Sequence, residues 1–136
     1  MTRPILLAYQ LLIGLSDTTT GVLLLVAPKF ALQLMYLHST SDALPFLSFI
    51  GAFVLSVGLA CLYGAFLTPR AKSRAKLEMI WLLTALTRAS VVVFVVEQVL
   101  AGAFEAAWLT VAFSDGVCVV IQAVGLRKGW LVNAAQ

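Results

Sequence analysis

Apolar residues in this chain gather into four long runs separated by short polar or proline-marked breaks. A helix of about 20 apolar residues crosses the roughly 30 Å of a hydrocarbon core, and each run is long enough to do so. The first helix is expected from about Pro4 to Val26, opened by a proline suited to a first turn and stopped by Pro28. The second is expected over about Pro45–Leu67 before Thr68-Pro69, and the third over Leu77–Leu100 before Gly102. The fourth is expected over Ala106–Leu126 before Arg127-Lys128-Gly129. Phe30–His38 is too short to cross and carries Phe30, Leu34 and Leu37 in the spacing of a helix lying along a membrane surface. The expectation is one all-α domain over residues 1–136, an integral membrane four-helix up-down bundle with a short interfacial helix between helices 1 and 2.

Composition agrees with the pattern. Hydrophobic residues make up 62% of the chain and charged residues 11%, with a mean hydropathy of +1.03. Soluble domains carry roughly 25% charged residues. The net charge of +3 would suggest nucleic acid in a soluble protein, but the basic residues flank the apolar runs and have a topological reading instead. Arg3, Arg70, Lys72, Arg74, Lys76, Arg127 and Lys128, seven of the nine Lys and Arg, fall on one side of a four-span topology. Both termini are therefore expected in the cytoplasm and no nucleic-acid partner is expected. Trp81 and Trp130 near the inner surface and Trp108 near the outer one suit aromatic belts. The first run could pass for a signal peptide, but it contains Asp17 and leads into Ala27-Pro28-Lys29 without a small-x-small cleavage site, so a retained helix is expected. Cys61 and Cys118 lie inside apolar runs without CxxC spacing, and His38 has no second ligand, so neither a metal nor a cofactor is expected.

Three of the runs hold one charge near mid-length: Asp17, Arg88 and Asp115. An ionised side chain at the centre of a bilayer costs about 2.5–3.5 kcal/mol on insertion scales, so each should face protein or water. Counted from Arg3, Lys76 and Arg127, each lies about 12 to 14 residues inward, or roughly 18–21 Å at 1.5 Å per residue. The three thus share one depth, and the same count from Arg70 reaches Ser56 and Gly58. Gln10 and Gln122 each lie seven residues, two helical turns, from Asp17 and Asp115 on the cytoplasmic side. Tyr63 and Trp81 fall at that second level, and Cys118 shares the face of Asp115 and Gln122. The expectation is a cavity with Asp17, Arg88 and Asp115 above and with Gln10, Ser56, Tyr63, Trp81, Cys118 and Gln122 as candidate substrate-binding residues. Helix glue is the plain alternative, since polar contacts between membrane helices contribute about 0.6 kcal/mol on average.

Two carboxyl groups bridged by a permanently charged guanidinium would share a proton, giving one acid and one base. The base could activate water and the acid could protonate an oxygen or a double bond. The trio resembles, in chemistry alone, the Asp-Arg-Asp arrangement of the limonene-epoxide-hydrolase family, and integral-membrane isoprenoid cyclases use buried acids in a similar way. Over nearly the whole chain, VLLLVAP closing helix 1, FIGAFVLSVGLACLYGAF in helix 2, the basic second loop and Arg88 in helix 3 resemble small four-helix DoxX-like and DUF4345-type membrane proteins. Some of those are membrane subunits of quinone-reducing oxidoreductases; the resemblance transfers no catalytic residue.

Three functions follow as expectations. The first is an intramembrane acid/base enzyme opening an epoxide, cyclising or isomerising a lipophilic, isoprenoid-like molecule, with Asp17, Arg88 and Asp115 as its catalytic residues. The second is a non-catalytic membrane subunit of a larger complex, with homo-oligomerisation also open. The third is a small proton-coupled transporter, although the two halves of the chain show no convincing repeat.

Overall fold

The computed structural model describes residues 1–70 and 73–133, so Lys72 of the basic loop lies outside the described residues. Among the described residues the chain is helical and without strands. The elements are α1 (Arg3–Val26), α2 (Pro28–Leu34), α3 (Leu44–Leu67), α4 (Arg74–Leu100), α5 (Leu109–Arg127) and α6 (Trp130–Asn133). One-turn 3-10 helices, Ser41–Ala43 and Ala106–Trp108, lead into α3 and α5. Four helices are long and apolar enough to cross a membrane: α1, α3 with its leading turn, α4, and α5 with its leading turn.

The helix ends show where apolar run length is an incomplete guide. α4 begins at Arg74, three residues before the first apolar position, because Arg74 and Glu78 pair across one turn at 2.8 Å and carry the helix into polar sequence. α2 starts at Pro28, earlier than the apolar spacing implies, since a proline in a first turn has no N–H to leave unbonded. It stops at Leu34 in a Schellman turn: Leu37 N–H bonds the Leu32 carbonyl at 2.9 Å and Tyr36 N–H bonds Gln33 at 3.1 Å. α4 ends in the same motif, with Ala103 N–H on Gln98 at 2.9 Å and Gly102 N–H on Val99 at 3.0 Å. The left-handed residue there is Gly102, as it is Gly129 after α5, whereas after α2 it is Tyr36, at φ 55°.

The described residues form two compact units. In Leu7–Phe66, α1 and α3 pack antiparallel, because contacts that climb α1 descend α3: Gln10 meets Gly64, Gly14 meets Leu62, Thr18 meets Gly58 and Gly21 meets Leu55. The backbones are close. A Cβ at Gly58 would lie 2.5 Å from the Thr18 amide nitrogen, and one at Gly21 would lie 2.5 Å from that of Leu55. Small residues at seven-residue spacing allow such approach, in the manner of membrane helix contacts. The Gln10, Gly14, Gly21 stripe is therefore the packing seam of α1 against α3.

Met1–Leu6 and the described part of Leu67–Gln136 form the other unit, centred on α4 and α5. Arg3 donates to the Pro69 carbonyl there, holding the start of α1 to the chain just beyond α3. The α4–α5 connection is closed by rings: Phe94 meets Phe104 edge-on at 5.9 Å, and Phe104 meets Trp108 at 5.0 Å.

Only 22–28% of each span is buried, and large apolar side chains such as Leu12, Phe46, Phe113 and Val120 face outward. Four exposed hydroxyls are satisfied within their own helices: Ser56 donates to Phe53 at 2.7 Å, Thr87 to Leu83 at 3.0 Å, Ser90 to Leu86 at 3.0 Å and Ser114 to Val111 at 2.9 Å. Such back-bonding meets the polar groups of these four side chains without a neighbouring helix.

Candidate functional site

α4 and α5 present facing stripes of polar and bulky residues. Arg88, Thr84 and Trp81 lie on one face of α4 at steps of four and three residues; Asp115, Cys118, Gln122 and Gly125 lie on one face of α5 at steps of three, four and three. All are buried except Asp115, which is partly so. Pairing runs antiparallel in three layers.

At one end Trp81 lies against Gly125, where any Cβ would run into the indole and would come 2.8 Å from Trp130. Trp81 is fully buried, so its indole is core and not part of a surface belt. In the middle layer Gln122 donates through Nε2 to Thr84 Oγ1 at 2.9 Å. Thr84 gives its own proton to the Ile80 carbonyl at 2.7 Å. At the other end Arg88 Nη1 donates to Asp115 Oδ1.

The spacing explains why the charged layer needs an arginine. Gln122 to Asp115 is seven residues, while Thr84 to Arg88 is four. At 1.5 Å per residue the carboxylate lies about 4.5 Å further along than the Arg88 backbone. The guanidinium at the end of a long side chain covers that difference. By the register of the other two layers, Cys118 is level with the Arg88 backbone.

The ion pair is not symmetrical. The Arg88 side chain is 6% exposed and that of Asp115 16%. Asp115 engages Arg88 through one oxygen, which leaves the second as an acceptor of a proton or hydrogen bond. Among the described residues no group of three His, Cys, Asp or Glu could hold a metal ion.

The remaining candidates divide by unit and by face. Arg88, Asp115, Trp81, Cys118 and Gln122 come together between α4 and α5. Asp17 lies partly buried on α1, in the Leu7–Phe66 unit. Gln10 is fully buried in that unit against Gly64, and neither atom of its amide has a hydrogen-bond partner. Ser56 and Tyr63 face outward from α3; the tyrosine ring stacks on Phe66 at 6.3 Å. Sequence reasoning passed over Thr84 and Thr18. Thr84 sits one turn before Arg88 and could have been found by following that face of α4; Thr18 has a buried hydroxyl against Gly58 and was hidden by its charged neighbour Asp17.

Comparison with protein-family models, with curated proteins and with solved structures finds no match.

Proposed function

We propose that the chain is a multi-pass membrane protein in which the α4–α5 stripe handles a proton on a lipophilic small molecule, Asp115 being the acid/base group and Arg88 its positioning cation. Its four spans cross in alternating direction, with both termini in the cytoplasm, as the basic flanks require. The observation that carries the reading is a carboxylate held by a buried guanidinium through one oxygen, inside a helix otherwise fit for lipid. Ionisable groups at such depth mark functional sites by default. A proton-transfer group of this kind contributes about 10²–10⁴-fold to a rate. Asp17 enters from the sequence alone, as a second mid-span acid.

Lipid extracts of cells producing the wild type, D115N and R88K, compared by mass spectrometry, test the reading. A lipophilic product formed by the wild type and reduced at least about 100-fold in D115N, at equal membrane yield, is the expected result. Extracts that do not differ between the wild type and D115N would overturn it.

A non-catalytic membrane subunit is the second reading, favoured by the same ion pair acting as a tie between α4 and α5. It expects D115N to lower the thermal stability of the detergent-solubilised protein and its recovery with partner proteins, with no change in small molecules. The family resemblance to DoxX-like proteins stands with this reading and is likewise a proposal.

A further inference from the structure

A cavity with a mixed polar and apolar lining lies away from the α4–α5 stripe, wholly within the Leu7–Phe66 unit, beside α2 and the connection to α3. It is half-enclosed and about 230 Å³ in volume. Lys29 and Gln33, one turn apart on α2, line it from one side, and His38 and Ser39 from the connection line it from the other. Its apolar wall includes Leu32 and Leu37, both buried.

We propose that this cavity seats the phosphate of a membrane glycerophospholipid. The inference rests on the membrane reading above. Its lining is rich in donors, and Lys29 brings a full positive charge with no carboxylate partner among the described residues. The acid of this segment, Asp42, is outside the lining; it accepts at 3.3 Å from Ser41, a lining residue, so the donors that remain for an anion are those of Lys29, Gln33, His38 and Ser39. A donor-rich pocket with one lysine takes an anion.

The surroundings select a lipid over a soluble anion. Three faces of α2 are used differently: Ala31 and Leu32 are buried, Lys29 and Gln33 face the cavity, and Phe30 and Leu34 are exposed. An exposed apolar stripe directly beside a cationic pocket offers separate places for acyl chain and headgroup, as amphipathic helices do at an interface. α2 also joins the ends of two membrane-length helices, which puts the cavity at headgroup level. Tyr36, 84% exposed in its left-handed turn, sets the course of the connection that supplies His38 and Ser39. An aromatic side chain there suits the same interfacial level.

The test uses the full chain in nanodiscs containing phosphatidylglycerol and diacylglycerol, followed by native mass spectrometry of lipids retained on release. The wild type should retain phosphatidylglycerol and not diacylglycerol. K29A should retain about fivefold less, the ratio one lysine is worth near an anionic surface, and K29R should restore retention. Lys29 and Gln33 are exposed, so circular dichroism of K29A and of K29A/Q33A should match the wild type. Equal retention by K29A, or equal retention of diacylglycerol, would overturn the proposal. Displacement of the lipid by inorganic phosphate alone would also overturn it, by assigning the pocket to a soluble anion. Recovery of the protein from cells without detergent would instead remove the membrane reading, a distinguishable failure.

Discussion

Thr84 accepts the Gln122 amide at 2.9 Å while its own proton is committed to the Ile80 carbonyl at 2.7 Å. That commitment fixes the amide's orientation, with nitrogen toward α4 and Oε1 left without a donor. T84V keeps the shape and removes the acceptor, stranding both ends of a fully buried amide. A double-mutant cycle of T84V and Q122L, read by thermal unfolding in detergent, should give a coupling of about 0.6 kcal/mol and no more than about 1.7. Additive effects would show that the contact does not form.

Gly125 is a steric requirement. G125A puts a methyl group into the Trp81 ring and beside Trp130, and overpacking of that kind costs about 1–3 kcal/mol. W81F shortens the side chain at the point of collision and should recover part of the loss when combined with G125A. A G125A protein as stable as the wild type would show that the two helices sit further apart.

Gln10 separates cost from use. Its amide is fully buried with neither atom bonded, and each unmet polar atom costs about 1–3 kcal/mol. Q10M, similar in length and without the amide, should therefore unfold at the same temperature as the wild type or higher. A clear fall in stability would mean that the amide is satisfied in the membrane, by water or a bound molecule.

The turn after α2 holds a residue in a conformation that glycine takes at the ends of α4 and α5. A non-glycine residue there costs about 1–2 kcal/mol, offset in part by the extra backbone freedom glycine loses. Y36G should raise stability by about 0.5–1 kcal/mol, and Y36A should not.

Much of this architecture is legible before any coordinates. A membrane-length apolar run can hardly be anything but a long helix, and Arg88 and Asp115 are found together because each lies 12 residues from its flanking charge. Depth is only one coordinate, however. Each residue advances a helix by about 100°, so Ser56, two residues before the buried Gly58, points to the far side of α3, as does Tyr63, two residues after the buried Cys61. The Thr84 contact was hidden for another reason. A threonine in an apolar helix ordinarily bonds its own preceding turn, as this one does, and the sequence gives no sign that its lone pair is also occupied.

The contrast between self-contained hydroxyls and the Arg88–Asp115 tie bears on biogenesis. Thr87, Ser90 and Ser114 need nothing from a neighbouring helix, so on the membrane reading they place no demand on the order in which segments leave the translocon. Arg88 and Asp115 do. Either span entering lipid alone would carry an unneutralised charge, whereas the short stretch Ala101–Glu105 allows α4 and α5 to enter as a preformed hairpin. On the membrane reading, truncation before α5 should leave α4 poorly inserted, and integration of the third span should wait for synthesis of the fourth.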